Sequence, residues 1–202
     1  MTTGALIVAA GLSSRMKQFK PLLPLGESTI VQCVIQTFQQ ADLSPIVLVT
    51  GYQADRLENH VKDYPITCLR NELYETTQML ESIQIGLRYM VPYMDGLCTK
   101  TLITPVDIPL FTLETVQKLM ECNVPVAIPT YENRKGHPLL ISREMMQYAM
   151  QYDGPGGLSG AIREKGNPIQ YIEVNDGGIL LDADTPEDYQ TLLEAYERNR
   201  SL

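Results

Sequence analysis

The chain alternates short apolar runs with longer segments in which apolar residues recur every three or four positions. Unbroken apolar runs are typical of strands buried on both faces of a parallel sheet, and the longer spacing is typical of amphipathic helices. The helical spacing is clear over residues 30–41 and 78–91. The segments expected to form strands are GALIVAA, PIVLVTGY, ITCLRN, KTLITPVDIP, VPVAIPTY, HPLLIS, PIQYIEV and GGILLDAD.

This alternation with short connections predicts an α/β fold, in which a doubly wound, mostly parallel sheet carries helices on both faces. Hairpin-like segments within residues 136–181 predict a small antiparallel addition at the edge of the sheet. The sequence has no internal repeat, low-complexity tract or linker, so we expect a single domain over residues 1–202. Sheets of this kind bind ligands beyond the carboxyl ends of their strands, near a switch in strand order.

The composition narrows the class of protein. With 44% hydrophobic and 20% charged residues, the chain resembles ordinary globular proteins, and no apolar run approaches the roughly 20 residues of a membrane helix. The N-terminus has no basic leader, so we expect no signal peptide, no membrane partner and a cytoplasmic location. The net charge of -8 disfavours nucleic acid as a partner, because phosphate backbones attract basic surfaces. The isolated cysteines indicate buried thiols in a reducing compartment: Cys33, Cys68, Cys98 and Cys122.

A cationic loop follows the first predicted strand. Its sequence, IVAAGLSSRMKQFKPLLPL, runs from an apolar stretch into Arg15, Lys17 and Lys20 despite the negative charge of the chain as a whole. A loop in this position can direct backbone N–H groups at an anion, and Gly11 leaves room for the close approach of a phosphate. The loop matches neither the P-loop pattern GxxxxGK(S/T) nor the dinucleotide-binding pattern GxGxxG. A plain surface turn with solvated charges is the alternative.

Two sets of carboxylates stand at the ends of predicted strands. Asp107 ends the apolar run LITPVDIP, where oxygen ligands suit a Mg²⁺ ion that shares phosphates with the protein, although an Asp that caps a turn would occupy the same place. Asp182 and Asp184 would point to one face if the strand GGILLDAD stays extended through residue 184. Residues 185–188, TPED, have the pattern of a helix start.

The sequence is also similar to a known family. VAAGLSSRM followed by KPLLPLG resembles the signature loop of the nucleotidyltransferases with a MobA-like NTP transferase domain, above all its molybdenum cofactor cytidylyltransferase branch. Further matches at TPVDIPLF, KGHPLLIS, GGLSGAI and LLDADTPEDY extend the resemblance over nearly the whole chain. It implies a Rossmann-like nucleotidyltransferase fold whose first loop wraps the triphosphate of a nucleotide. The nucleotide-binding residues implied are Ala10, Gly11, Leu12, Ser13, Ser14, Arg15, Lys20, Asn71 and Ser82.

The resemblance also implies a metal site and a catalytic set. It makes Asp107 a ligand of Mg²⁺ and places a second ligand in the late acidic motif, at either Asp182 or Asp184. The catalytic residues implied are Arg15, Lys20 and Asp107, with the two cations neutralising the charge that gathers on the leaving pyrophosphate. A phosphate acceptor is already ionised at neutral pH, so no general base is needed.

An acceptor site is implied by two further motifs. In the family, the position of His137 in KGHPLL and the segment GPGGLSG, with Gly156 and Gly157, lie by the acceptor. The glycine segment could hold an acceptor phosphate at the N-terminus of a helix that starts near Leu158, or form a lid. His137 could instead make only local hydrogen bonds at the start of a strand.

The resemblance implies a Mg²⁺-dependent enzyme that moves an NMP from an NTP onto a phosphorylated small molecule and releases pyrophosphate. The cytidylyl branch carries AAG in the first loop where the guanylyl branch tends to have AGG, so VAAG favours CTP as the nucleotide and molybdopterin as the acceptor. A molybdenum hydroxylase is then a further expected partner. The alternatives are transfer to a sugar phosphate or phospho-alcohol, and a non-catalytic chaperone for the molybdenum cofactor.

Overall fold

The computed structural model describes residues 2–11, 16, 18–93 and 98–200. The strands are β1 (Thr2–Ala9), β2 (Pro24–Leu25), β3 (Ser28–Thr29), β4 (Ile46–Thr50), β5 (Thr67–Arg70), β6 (Cys98–Pro105), β7 (Val126–Tyr131), β8 (Arg134–Lys135), β9 (Leu139–Ser142) and β10 (Ile169–Glu173). The α-helices are α1 (Ile30–Gln40), α2 (Ala54–Val61), α3 (Met79–Tyr93), α4 (Leu113–Glu121), α5 (Arg143–Ala149), α6 (Gly157–Lys165) and α7 (Pro186–Arg200). Two 3₁₀ helices span Lys20–Leu22 and Gly177–Leu180.

The central sheet has the strand order β10-β7-β9-β6-β1-β4-β5, and β8 pairs with β7. Strands β1, β4, β5 and β6 are parallel neighbours, as are β7 and β10, so the predicted α/β class with a mostly parallel sheet is confirmed. A separate small antiparallel pair is formed by β2 and β3.

The main antiparallel strand lies inside the sheet, whereas the sequence predicted it at the edge. Strand β9 pairs antiparallel with β6 on one side and with β7 on the other, and the parallel strand β10 lies beyond β7. The reason is burial on both faces. Leu140 and Ile141 are fully buried in the two different core clusters, which an interior strand allows.

The core consists of two apolar layers, one on each face of the sheet. Along β1, Ala5, Ile7 and Ala9 pack into one layer, while Leu6 and Val8 pack into the other. Helices α1, α2, α4 and α7 contribute buried side chains to the first layer, and α3, α5 and α6 contribute to the second. The unbroken apolar run of β1 is therefore explained by burial on both faces.

The switch in strand order lies between β1 and β6. From β1 the chain passes through α1 to β4 on one side, and from β6 it passes through α4 to β7 on the other side. The two strands are in parallel register up to the pair Val8 and Pro105. The loops that follow β1 and β6 consequently open a crevice at the carboxyl edge of the sheet, where doubly wound folds bind ligands.

The segment GGILLDAD does not form the predicted strand. Its first half is the 3₁₀ helix Gly177–Leu180, and residues 181–185 are irregular. The cause is the buried carboxylate of Asp176, which accepts hydrogen bonds from the backbone N–H groups of Gly178 and Thr112 at 3.0 and 2.7 Å. Its Oδ2 also accepts from the hydroxyls of Thr112 and Thr115 at 2.9 and 2.6 Å. These bonds curl the chain around Asp176 and fasten it to the start of α4.

Several smaller predictions can be compared with the structure. Helix α7 begins as its sequence predicts, because the backbone N–H of Thr185 donates to Asp188 Oδ2 and the backbone N–H of Asp188 donates to Thr185 Oγ1. Cys33 and Cys68 carry free thiols whose pKa is raised by burial to about 11. No helix in the described ranges is long and apolar enough to cross a bilayer. The single-domain organisation over residues 1–202 stays a prediction.

The Asp176 hydrogen bonds predict a large effect of substitution on stability. Asp176→Ala leaves the two threonine hydroxyls and two backbone N–H groups without this acceptor, so we expect the free energy of unfolding to fall by about 3 kcal/mol. Urea denaturation measures this value. Asp63→Ala, at an exposed turn, is the control and should change stability by less than about 0.5 kcal/mol. An equal effect of the two substitutions would contradict this account of the 3₁₀ helix.

Candidate active site

The loop after β1 carries Lys20 inward because apolar residues on both sides of it are buried. Met16, Phe19 and Leu23 all belong to the core, and the ring of Phe19 packs edge-on against Tyr52 at 5.8 Å between centroids. Lys20 begins the 3₁₀ helix and is itself only 9% exposed. Buried lysines require charged partners, and the structure supplies two.

The ammonium group of Lys20 joins two carboxylates that are distant in sequence. Nζ donates to Asp107 Oδ2 at 3.2 Å and to Asp184 Oδ1. Asp107 follows β6, and its backbone oxygen accepts from the backbone N–H of Ala183 at 3.1 Å. This backbone bond holds the late acidic motif against the end of β6, so the predicted metal ligands Asp107 and Asp184 lie at one place.

The charges of this cluster shift the pKa values of its members. Burial alone would lower the pKa of Lys20, but the hydrogen bonds and negative charges of Asp184 and Asp107 outweigh burial and raise it. Lys20 is therefore a permanent cation at neutral pH. The pKa of Asp182 is raised by partial desolvation and by the negative charges of Asp184 and Asp107.

Asp182 stands apart from the bonded cluster. It is exposed and lines a different cleft of about 790 Å³ between the end of β7, the 3₁₀ helix Gly177–Leu180 and α7. The sequence placed Asp182 and Asp184 on one face of an extended strand, but the chain is irregular here. Only Asp184, of these two, has a hydrogen bond with Lys20 among the contacts described above.

A pocket of about 250 Å³ opens beside Lys20, at the carboxyl ends of β1 and β6. At Gly11 a side chain would meet nothing within 4 Å, so open space adjoins this part of the loop. Gly51 is needed nearby, because a Cβ there would lie 2.8 Å from the Ala10 backbone oxygen and 2.8 Å from Tyr74 Cβ. The predicted site residues that line this pocket are Ala10, Gly11, Lys20, Asn71, Ser82 and Asp107.

Asn71 organises one wall of this pocket. Its side-chain Nδ2 donates to Thr77 Oγ1 at 2.9 Å and to Ser82 Oγ at 3.0 Å, and its Oδ1 accepts from the backbone N–H of Leu73 at 3.0 Å. Both side-chain N–H groups of Asn71 are thus engaged within the protein. Asn71 and Ser82 fix the loop between β5 and α3 at the pocket wall.

A second pocket, of about 310 Å³, contains the residues predicted to bind the acceptor. His137, Gly156 and Gly157 all line it. Gly156 and Gly157 have φ values of +88° and +61°, which other residues rarely adopt. His137 Nδ1 is buried and has no hydrogen-bond partner among the described residues. Burial lowers the pKa of His137, and this effect exceeds the opposing hydrogen bond to the Ile103 backbone and the charge of Asp107.

The two pockets are neighbours that share a wall. Val8, Pro105, Gln78 and Met79 line both of them. The sequence analysis did not select Gln78 and Met79 as site residues, although their place after β5 at the carboxyl edge of a doubly wound sheet is a signal that could have found them. Met79 is 55% exposed, which is unusual for a large apolar side chain.

Part of the predicted site lies outside the described residues. These positions are Leu12, Ser13, Ser14 and Arg15, together with Lys17. Of the nucleotide-binding residues predicted in the first loop, the structure describes Ala10, Gly11 and Lys20.

The cluster has few ligands of its own for a metal. Within residues 2–11, 16, 18–93 and 98–200, no group of three or more His, Cys, Asp or Glu side chains is arranged to hold an ion. Asp107 and Asp184 nevertheless converge on one cationic atom, Lys20 Nζ. Two carboxylates fit a Mg²⁺ ion that takes its remaining ligands from phosphates and water.

The chain is an α/β protein with two adjoining pockets at the switch point of its sheet. Residues 5–169 match the family model of the MobA-like NTP transferase domain, and the chain belongs to this family. It is 31% identical over 193 residues to the molybdenum cofactor cytidylyltransferase of Escherichia coli, covering 95% of each chain. The family expected from the first loop is thereby confirmed.

Solved structures support the same fold. A nucleotidyl transferase from Methanothermobacter thermautotrophicus superimposes with a TM-score of 0.84 at 20% identity, covering 98% of this chain and 99% of that one. The protein Rv0371c of Mycobacterium tuberculosis, in a complex with manganese, superimposes with a TM-score of 0.80 at 21% identity. The match covers 96% of this chain and 100% of Rv0371c. At these identities the likeness establishes the fold.

The lowered pKa of His137 predicts its behaviour on titration. The ring should be neutral at pH 7 and gain its proton only below pH 6.5, the usual value for histidine. Since the folded pKa lies below the unfolded one, the contribution of His137 to stability is present above pH 6.5 and is lost as the pH falls below it. The pH dependence of its ring signals in NMR spectra measures the midpoint.

The chain has one other histidine, which provides a matched control. His137→Gln should make the loss of stability between pH 6.5 and pH 5 smaller than in the wild type, whereas His60→Gln keeps His137 and should keep that loss. A midpoint for His137 above pH 6.5 would show that its pocket is more polar or more open than described.

Proposed function

We propose that this protein transfers CMP from CTP to the phosphate of molybdopterin or the molybdenum cofactor and releases pyrophosphate. An oxygen of the acceptor phosphate attacks the α-phosphorus of CTP, a new P–O bond forms, and the bond to pyrophosphate breaks. The family of the chain supports nucleotidyl transfer in general. The cytidylyltransferase of Escherichia coli, similar over almost the full length of both chains, supports the choice of CTP and of the acceptor.

One observation carries the proposal. Asp107 and Asp184 share the ammonium group of Lys20, and Lys20 and Asp107 line the first pocket, which lies at the switch point of the sheet. A partly buried cation can bind the phosphates of a nucleotide, and two carboxylates beside it can coordinate a metal ion that binds the same phosphates. The second pocket shares a wall with the first, so two ligands bound there would lie side by side.

Asp107 and Asp184 would hold a divalent ion, with Mg²⁺ as the expected metal. The manganese complex of the structurally similar Mycobacterium tuberculosis protein supports a divalent ion in this fold. When bound, such an ion supplies positive charge to the phosphate oxygens around the reacting phosphorus. The convergence of the two carboxylates on Lys20 favours Asp184 over Asp182 as the partner of Asp107.

The remaining roles fall to residues of this chain. Lys20 and Arg15 would neutralise the charge that develops on the leaving pyrophosphate. The Asn71 network would keep the wall between α3 and the nucleotide in place, so that Ala10, Gly11 and Ser82 face the ligand. No general base is required, because the acceptor phosphate is ionised at neutral pH. Positioning and charge therefore supply most of the catalysis.

The acceptor would occupy the second pocket. Neutral His137 donates its one ring N–H to the Ile103 backbone, so its Nδ1, which is buried without a partner in the described residues, can accept a hydrogen bond from the acceptor. Gly156 and Gly157 precede or begin α6, whose backbone N–H groups can bind a phosphate. Delivery of the product to a molybdenum hydroxylase and a cytoplasmic location stay expectations from the resemblance and the composition.

Pyrophosphate release tests the reaction directly. The four NTPs are each incubated with the protein and Mg²⁺, with and without molybdopterin, and we expect release only with CTP and molybdopterin together. Release with a sugar phosphate or phospho-alcohol instead would establish the alternative acceptor. Tight molybdopterin binding with no release from any NTP would establish the chaperone and refute the enzyme.

Removal of the Asp107 charge tests the mechanism. Asp107→Asn should lower kcat/KM for CTP by about a thousandfold or more, because it removes a carboxylate at the centre of the phosphate site. Asp63→Asn, at an exposed turn, is the matched control. Near-normal turnover of folded Asp107→Asn protein would rule the mechanism out.

The two late aspartates are distinguished by a pair of substitutions. We expect Asp184→Asn to lower kcat at least about tenfold more than Asp182→Asn, since only Asp184 shares Lys20 with Asp107 in the contacts described. Steady-state kinetics at saturating Mg²⁺ and CTP measure the difference. A greater loss with Asp182→Asn would make Asp182 the second ligand.

A further inference from the structure

Lys20 lies where its role in phosphate binding and the role of the carboxylates in metal binding conflict. Its Nζ donates to both Asp107 and Asp184, the two groups proposed to hold the divalent ion. A divalent ion coordinated by these oxygens and the ammonium group of Lys20 cannot both lie between them, because like charges at contact distance repel strongly. One cation must leave when the other arrives.

The surroundings of the cluster favour a cation between the carboxylates. The side chains of Lys20, Asp107 and Asp184 are 11%, 21% and 26% exposed, so all three are largely withdrawn from water. The negative charge of Asp182 acts on the same cluster. Carboxylates this close together, without a cation, would repel one another and lose stability.

We propose that Lys20 is an internal counter-ion that occupies the metal position in the nucleotide-free protein and is exchanged for the divalent ion when the nucleotide binds. This inference rests on the proposed function and concerns the order in which its ligands bind. The phosphates that arrive with the ion offer Lys20 a new set of anionic partners in the same pocket, which Lys20 lines together with Asp107. Its flexible four-carbon stem allows the ammonium group to move while the backbone stays fixed.

The exchange couples the metal to the nucleotide. Without phosphates, a divalent ion must displace Lys20 from two carboxylates and leave the ammonium group partly buried without an anion, so the ion should bind weakly. With phosphates present, Lys20 can pair with a phosphate oxygen, so the divalent ion and the nucleotide should each strengthen the binding of the other. The site would thus take up the metal as a metal–nucleotide complex and resist bare metal ions.

Substitution of Lys20 gives opposite effects on the two ligands. In the absence of nucleotide, Lys20→Met should bind Mn²⁺ about tenfold or more tightly than the wild type, because no ammonium group competes for the carboxylates. The same variant should bind CTP, measured without metal, more weakly than the wild type. Electron paramagnetic resonance of free Mn²⁺ measures the first affinity, and titration calorimetry measures the second.

Three further variants serve as controls. Lys20→Gln removes the charge but keeps a polar side chain, and it gives the same test if Lys20→Met does not fold. Lys20→Arg keeps a cation and should not bind Mn²⁺ more tightly than the wild type. Lys118→Met removes the half-buried lysine that pairs with Glu114 on α4 and should leave both affinities unchanged.

The possible results separate this inference from the proposed function. Unchanged or weaker Mn²⁺ binding in folded Lys20→Met or Lys20→Gln protein would overturn the exchange, and pyrophosphate release from CTP and molybdopterin by the wild type would still support the proposed function. Tighter Mn²⁺ binding in these variants supports the exchange, even if the wild type transfers a nucleotide other than CMP. Tighter binding in Lys20→Arg as well would show that loss of packing, and not loss of charge, frees the carboxylates.

Discussion

The site depends on one ammonium group held between two carboxylates that are 87 and 164 residues away from it in the chain. These three charged groups are largely withdrawn from water, and removing one of them changes the charge balance of the other two. This arrangement depends on the order of the strands in the sheet. Strands β1 and β6 must be neighbours, and the backbone bond from Ala183 to Asp107 must hold the last segment against them.

Features that depend on nearby residues could be predicted from the sequence. The apolar run of β1 has to be buried on both faces, and the spacing of α1 and α3 produces one apolar face, so the layers of the fold follow from local patterns. The loop cations and Asp107 stand directly after strands. In a doubly wound sheet such positions meet at one edge, which agrees with the single site that the family resemblance implied for Lys20 and Asp107.

Features that depend on distant partners could not be predicted in the same way. Leu140 and Ile141 both need burial, and strand β9 buries them between β6 and β7. The neighbours of β9 in the sheet could not be predicted from the sequence. The segment after Asp176 looks like a strand until the threonines of α4 are seen to bind that carboxylate. The sequence left open whether Asp182 or Asp184 is the second ligand, because an extended strand would have pointed both to one face. That strand does not form, and only the coordinates reveal that Asp184 meets Lys20.

The central claim is geometric: the place now held by the Lys20 ammonium group is the place of a divalent ion when a nucleotide is bound. A crystal structure of the protein with Mn²⁺ and CTP tests it most directly, because manganese is located by its anomalous scattering. We expect the ion in contact with carboxylate oxygens of Asp107 and Asp184, with Lys20 Nζ moved onto a phosphate oxygen. A nucleotide-bound manganese ion away from both carboxylates, with Lys20 still between them, would contradict the account.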